Sequence, residues 1–225
     1  MKKICPIISV YTEIPDVFDN TKDLRFRRLL SPAAWAGLPE AVRRRFSKHL
    51  APDESVTYAG RVLDCRMSFA GLLLAQAARL IGAPLPLDPV AGGAAVVTVT
   101  ADHGGGQVWT RAYVRPRGFP QVIHSAKRFD GPTGLSEYLG RGVSIALDVE
   151  AVPRGLRFTS AGYQLTFGGR TVTCPRWLTP GKLVIDHLDH GDSSFLFQLT
   201  LTHSLLGRLI HQSILFAERR PETDR

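Results

Sequence analysis

From residue 94 to residue 216 apolar and polar side chains alternate in short runs. Successive side chains on a strand point to opposite faces. The runs therefore predict strands over 94–101, 107–114, 119–128, 143–152, 156–160, 163–167, 170–174, 182–190, 194–202 and 209–216. Val143, Ile145, Leu147 and Val149 fall on one face, with Ser144, Ala146, Asp148 and Glu150 on the other. Phe195, Phe197, Leu199 and Leu201 repeat the pattern. The connectors are short and turn-forming: H-G-G-G at 103–106, R-P-R-G at 115–118, P-R-G at 153–155, A-G at 161–162 and G-G at 168–169. Links this short join antiparallel neighbours, and a meander of so many strands curls or closes.

Before residue 94 the period changes. Leu38, Val42, Phe46 and Leu50 recur every fourth position around Pro39, which predicts an amphipathic helix over 39–50. A shorter helix over 23–30 stops ahead of Pro32. Residues 67–81 contain F-A-G-L-L-L-A-Q-A-A-R-L-I, a run of strong helix formers ended by Gly82 and Pro84. A helix this apolar packs on the sheet, lies over a cavity as a lid, or touches lipid. The pattern predicts an α+β protein, with N-terminal helices followed by a large curved antiparallel β-sheet or open barrel, calycin-like or helix-grip-like. The link at 84–93 joins helix to sheet inside one domain, 1–225, with its core at about 24–216 and a polar tail at 217–225.

Composition narrows the function classes. The 225 residues are 44% hydrophobic and 21% charged, long enough to bury a core and too apolar for disorder. The net charge of +8 suits phosphate groups, acidic metabolites or membrane surfaces. Its densest run, Arg43-Arg44-Arg45 with Lys48, is expected on the solvent side of its helix. It comes with no nucleic-acid motif, so no nucleic-acid partner is expected. Cys5, Cys65 and Cys174 form no C-x-x-C pair, which suits a reducing, cytoplasmic location. The opening M-K-K-I-C-P-I-I-S-V-Y is too short and too broken by Pro6 for a secretory leader. No run reaches the roughly 18 apolar residues of a transmembrane segment.

The candidate chemistry centres on Q-V-W-T-R-A-Y-V at 107–114, where Gln107, Trp109, Arg111 and Tyr113 share a face. A guanidinium on a covered face needs a partner. Glu137 would supply a structural ion pair. Alternatively, Arg111 offers its planar fork to a ligand carboxylate or phosphate, with Trp109 and Tyr113 as apolar walls. His203, at a strand end, is either a general acid–base or a loop-capping side chain. Ser125 stands in no G-x-S-x-G elbow, and His124 faces away from it. Asp186, His187, Asp189, His190 and Asp192 have metal-ligand chemistry. His187 and His190, three apart on a strand, point opposite ways, so a polar hairpin tip is expected and no metal. No G-x-G-x-x-G follows a strand, and no cofactor is expected.

W-T-R-A-Y at 109–113, Ser125, E-Y-L-G at 137–140, C-P-R-W-L-T-P at 174–180 and H-S-L-L-G-R-L-I-H-Q at 203–212 stand in an order that resembles an uncharacterised bacterial family, domain of unknown function 4166. L-P-E-A-V-R-R-R-F at 38–46 and Y-A-G-R-V at 58–62 resemble its start. The resemblance covers about residues 24–216, with Ser204 where such family tails often carry proline. It supplies no catalytic residues. Similar members occur alone or fused behind a saccharopine-dehydrogenase-like domain, which implies an oxidoreductase partner by association. Three readings stay open: a module binding a small amphipathic or acidic ligand between sheet and helix, a cofactor-independent hydrolase or isomerase using Arg111, Glu137 and His203, and an interaction partner of an oxidoreductase.

Overall fold

The computed structural model describes residues 23–218, apart from 53, 83 and 89. Three short helices come first: α1 (Arg25–Arg28), α2 (Pro32–Ala36) and α3 (Glu40–Phe46). Strand β1 (Ser55–Met67) leads into α4 (Phe69–Ala77), which tightens into a 3-10 turn over Ala78–Ile81. Ten more strands follow: β2 (Ala94–Ala101), β3 (Gln107–Tyr113), β4 (Gln121–Arg128), β5 (Ser136–Gly140), β6 (Val143–Val152), β7 (Gly155–Phe167), β8 (Arg170–Thr173), β9 (Lys182–Gly191), β10 (Ser194–His203) and β11 (Gly207–Glu218). The sheet order is β6-β5-β4-β3-β2-β1-β11-β10-β9-β7-β8, and a further β6–β7 pairing closes ten strands into an antiparallel barrel. Strand β8 stays outside, paired to the end of β7.

The α+β barrel follows the alternation, and its closure comes from one strand. The A-G at 161–162 is not a turn. Ala161 is bulged out opposite the step from Ala146 to Leu147, and β7 continues through it. A bulge bends a strand without ending it. The long β7 pairs with all of β6 and, over Gly155–Thr159, with β9. Two strands go beyond the predicted set. β1, paired with both β2 and β11, hides its period behind a bulge between Val62 and Asp64. β5 is only five residues long. The tail expected from Ala217 begins later, because β11 runs through Glu218. The remaining tail and the opening segment weighed as a leader lie outside the described residues.

Helices cover both ends of the barrel. At one end α1–α3 form a plug. Leu38, Val42 and Phe46 are buried as the stripe predicts. Phe46 meets Phe26 edge to face with centroids 5.1 Å apart, and touches Phe158 and His187. The basic run departs from its expected solvent face: Arg44 and Lys48 stay exposed, but Arg45 turns in, its guanidinium 3.9 Å from the Phe195 ring centroid. A long side chain lays its stem along apolar surface and its cation over a ring face; Arg45 Nη1 has no hydrogen-bond partner among the described residues, and burial lowers the Arg45 pKa.

At the other end α4 crosses the rim. Ser68 caps it, accepting the Gly71 N–H at 3.1 Å, while the Ser68 N–H donates to the Leu209 carbonyl at 2.9 Å. Gly71 presses so closely on β11 that a Cβ there would stand 2.1 Å from the Leu209 oxygen. At the far end Gly82, at φ +113°, stops the 3-10 turn, and a Cβ on Gly140 of β5 would stand 2.4 Å from the Ile81 oxygen. The helical segment thus bridges about 20 Å, from β11 to β5, seated at each end by a glycine. Among the described residues no helix is long and apolar enough to cross a membrane.

Candidate functional site

Parity and register build the interior. Gln107, Trp109, Arg111 and Tyr113 are buried, and the residues between them less so. Across the ladder Trp109 stands beside Ser125, Gln107 beside Lys127, and Lys127 beside Glu137. Side chains of three strands therefore converge. Arg111 donates from Nη1 to Ser125 Oγ (3.1 Å) and from Nη2 to Glu137 Oε1 (3.3 Å). Ser125 Oγ donates to Glu137 Oε1 at 2.7 Å, and Lys127 Nζ to Glu137 Oε2 at 3.2 Å. All four side chains are buried.

Two basic groups thus share one carboxylate. Burial alone would raise the Glu137 pKa, but Lys127, then Arg111, with the Ser125 hydrogen bond, hold it at about 2. Burial lowers the Lys127 pKa, Glu137 opposes the drop, and Arg111 adds to it. Lys127 Nζ sits 4.8 Å from the Trp109 ring centroid, a cation–π contact. Beneath Trp109 lies His187, its ring surrounded by Phe46, Phe158, Phe195 and Phe197. Its Nδ1 has no hydrogen-bond partner among the described residues. Burial, then Lys127, keeps its pKa well below the ordinary 6.5, so the ring is neutral.

Above this charged layer, under α4, is a cavity of about 300 Å³. Arg111, Ser125 and Glu137 make its polar floor, and Tyr113, Tyr163 and Gln212 add the remaining polar side chains of the lining. Burial pushes the Tyr113 phenol up to about 12, against the pull of Arg111. Ile145, Leu183 and Phe197 are among the walls, and Leu74, Ala78 and Ile81 form the roof. The floor offers hydrogen-bond donors and positive charge, and the walls offer apolar surface.

Arg111, Tyr113 and Glu137 therefore meet at one hollow, and the ion pair expected between Arg111 and Glu137 is present. Trp109 lies one layer deeper, supporting Lys127 and not walling the cavity. His203 is elsewhere. It closes the β10–β11 turn, its Nδ1 accepting the N–H groups of Leu205 (3.2 Å) and Leu206 (3.3 Å), and it does not line the cavity. The constellation of Arg111, Glu137 and His203 is thus not assembled. In the Asp/His segment, His187 is core, His190 is exposed and Asp186 pairs with Arg157 at 2.7 Å. The strand runs through Gly191, and the tip is Asp192–Ser193, both at positive φ. No cluster with metal-ligand character occurs among the described residues.

Lys127 and Gln212 escaped the sequence reading. The signal for Lys127 was the parity of Ile123, Ser125 and Lys127 on β4, which places all three inward. Lysine is so seldom buried that parity alone does not announce it. No curated protein and no solved structure matches the chain. A family model matches residues 38–216 and takes in every residue of the charged layer and the cavity; the chain belongs to the family described as Domain of unknown function (DUF4166).

Proposed function

We propose that this protein binds a small amphipathic acid, its apolar body under α4 and its anionic group on Arg111. One observation carries the reading: two basic side chains share a single carboxylate at the floor of a mostly apolar hollow. A buried cation is costly unless compensated, and an incoming anion supplies the missing charge. A guanidinium has more N–H groups than the two bonds Arg111 makes to Ser125 and Glu137. The volume of about 300 Å³ lies at the small end for ligand sites. A carboxylate held at about 2 is a weak base near neutral pH, which favours binding over acid–base catalysis. The free thiols Cys65 and Cys174 support a cytoplasmic location.

Calorimetry with decanoate, decanol and decyltrimethylammonium tests the reading, since the three share a tail and differ in charge. Decanoate should bind at least about tenfold more tightly than the alcohol, the worth of one hydrogen bond to a charged group. The Arg111→Leu variant should fold and lose that preference, because it leaves Lys127 and Glu137 as a neutral pair. Equal affinity for all three ligands, or no binding of any, defeats the reading.

A further inference from the structure

The rim crossed by α4 holds nearly all the large apolar side chains the barrel exposes. Phe119, Phe167, Trp177 and Leu205 are between 80 and 91% exposed. They stand on four separate segments: the β3–β4 loop, the end of β7, the 3-10 turn Arg176–Leu178 and the β10–β11 turn. The antiparallel order brings all four to the end where α4 lies. The outer face of the helical bridge adds Phe69, Leu73 and Leu80, all exposed. At the plugged end the described residues expose one large apolar side chain, Leu24. Isolated exposed apolar residues are ordinary, but a rim of them marks an interaction surface.

Charge identifies the occupant. Arg117, Arg141, Arg170, Arg176 and Arg208 are exposed among these tips. The rim segments 68–82, 114–120, 139–143, 165–183 and 202–209 contain no Asp or Glu, and Asp88 of the 84–93 link is paired with Arg115. We propose that this rim docks on an anionic lipid bilayer. Aromatic rings settle at headgroup depth while guanidinium groups pair with lipid phosphates. A second copy of the rim would set arginine against arginine, which is repulsive. Separate hairpin tips also suit a soft surface better than a shaped protein groove. The bridge carries apolar side chains on both faces, over the cavity and outside, with Gln76 and Arg79 as the exposed polar residues of the outer one, and lipid covers the outer apolar side chains while Arg79 adds a cation. The inference rests on the rim and does not depend on which ligand the cavity takes.

Co-sedimentation with phosphatidylcholine vesicles, with and without phosphatidylglycerol and with no fatty acid added, tests it. The wild type should pellet with the anionic vesicles, less with neutral ones, and less again as salt rises. Phe119→Ser combined with Trp177→Ser, which removes buried apolar area, and separately Arg117→Glu combined with Arg176→Glu, which reverses two rim cations, should each weaken binding at least about tenfold. All these sites are exposed, so the thermal midpoint should hold. The proposal is overturned if the wild type stays in the supernatant with anionic vesicles or if both variants bind as well as wild type. It is also overturned if the free protein is a dimer that the Phe119→Ser/Trp177→Ser variant splits, which would make a second copy the rim's occupant.

Discussion

The two ends of this barrel are covered by helices of opposite character. On α3, Val42 and Phe46 turn inward while Glu40 and Arg44 stay in water. On α4 and its 3-10 turn, Leu74, Ala78 and Ile81 face the cavity while Phe69, Leu73 and Leu80 face outward. Beneath α3 the interior is filled by Phe26, Phe46, Phe158 and His187. Beneath α4 about 300 Å³ stay open. The buried charges lie between, with Lys127 toward the aromatic side and Arg111 toward the hollow. A helix with one apolar stripe completes a core. A helix with large apolar side chains on both faces, its outer one broken only by Gln76 and Arg79, and seated by glycines, leaves the space under it unfilled and a second apolar surface for something else to cover.

Packing differences should appear first in stability. Phe46→Ala in the plug should cost about 4 kcal/mol, the cost of an unfilled aromatic site, while Leu74→Ala in the cavity roof should cost less than half as much. Urea unfolding of both variants measures this, and equal losses would erase the contrast between the ends. Glu137→Gln should cost about 3 kcal/mol, because it strands Arg111 and Lys127 without their carboxylate. Arg111→Leu, unfolded in the same way, should cost clearly less, since a paired Lys127 and Glu137 remain.

Acid should weaken the plugged side before the charged layer. His187 is neutral in the fold, with its pKa lowered, so below its ordinary 6.5 the unfolded chain takes up a proton the native state refuses. Stability falls there, by up to about 1.4 kcal/mol per pH unit. Glu137 is depressed to about 2 from 4.5; its contribution is whole above 4.5 and disappears as pH drops from 4.5 toward 2. His187→Phe should flatten the upper part of the titration, and Glu137→Gln the lower part. Unfolding free energies measured from pH 7 to pH 3 would reveal either limb, and an unchanged profile in His187→Phe would mean that His187 takes up its proton equally in the folded and unfolded chain. The smallest effect concerns the bridge. Gly140→Ala, at φ +123° and facing the Ile81 oxygen, should cost about 1–2 kcal/mol of backbone strain and speed hydrogen exchange in α4 more than in α3. Equal exchange in both helices would show that the bridge does not depend on that seat.

Period-two alternation by itself determined most strands from residue 94 onward, β5 excepted and β7 in two pieces, and the shared face of Trp109, Arg111 and Tyr113, because side-chain direction in a strand is local; it asked for a partner to Arg111 and left Glu137 and a ligand as alternatives. Only the tertiary structure decided that β7 runs through Ala161 and closes the barrel, that Lys127 joins Glu137 inside, that His203 serves a turn, and that distant hairpin tips form one apolar, arginine-rich rim. Each of these depends on which strands become neighbours, and register between segments far apart in the chain leaves no periodic trace in either of them.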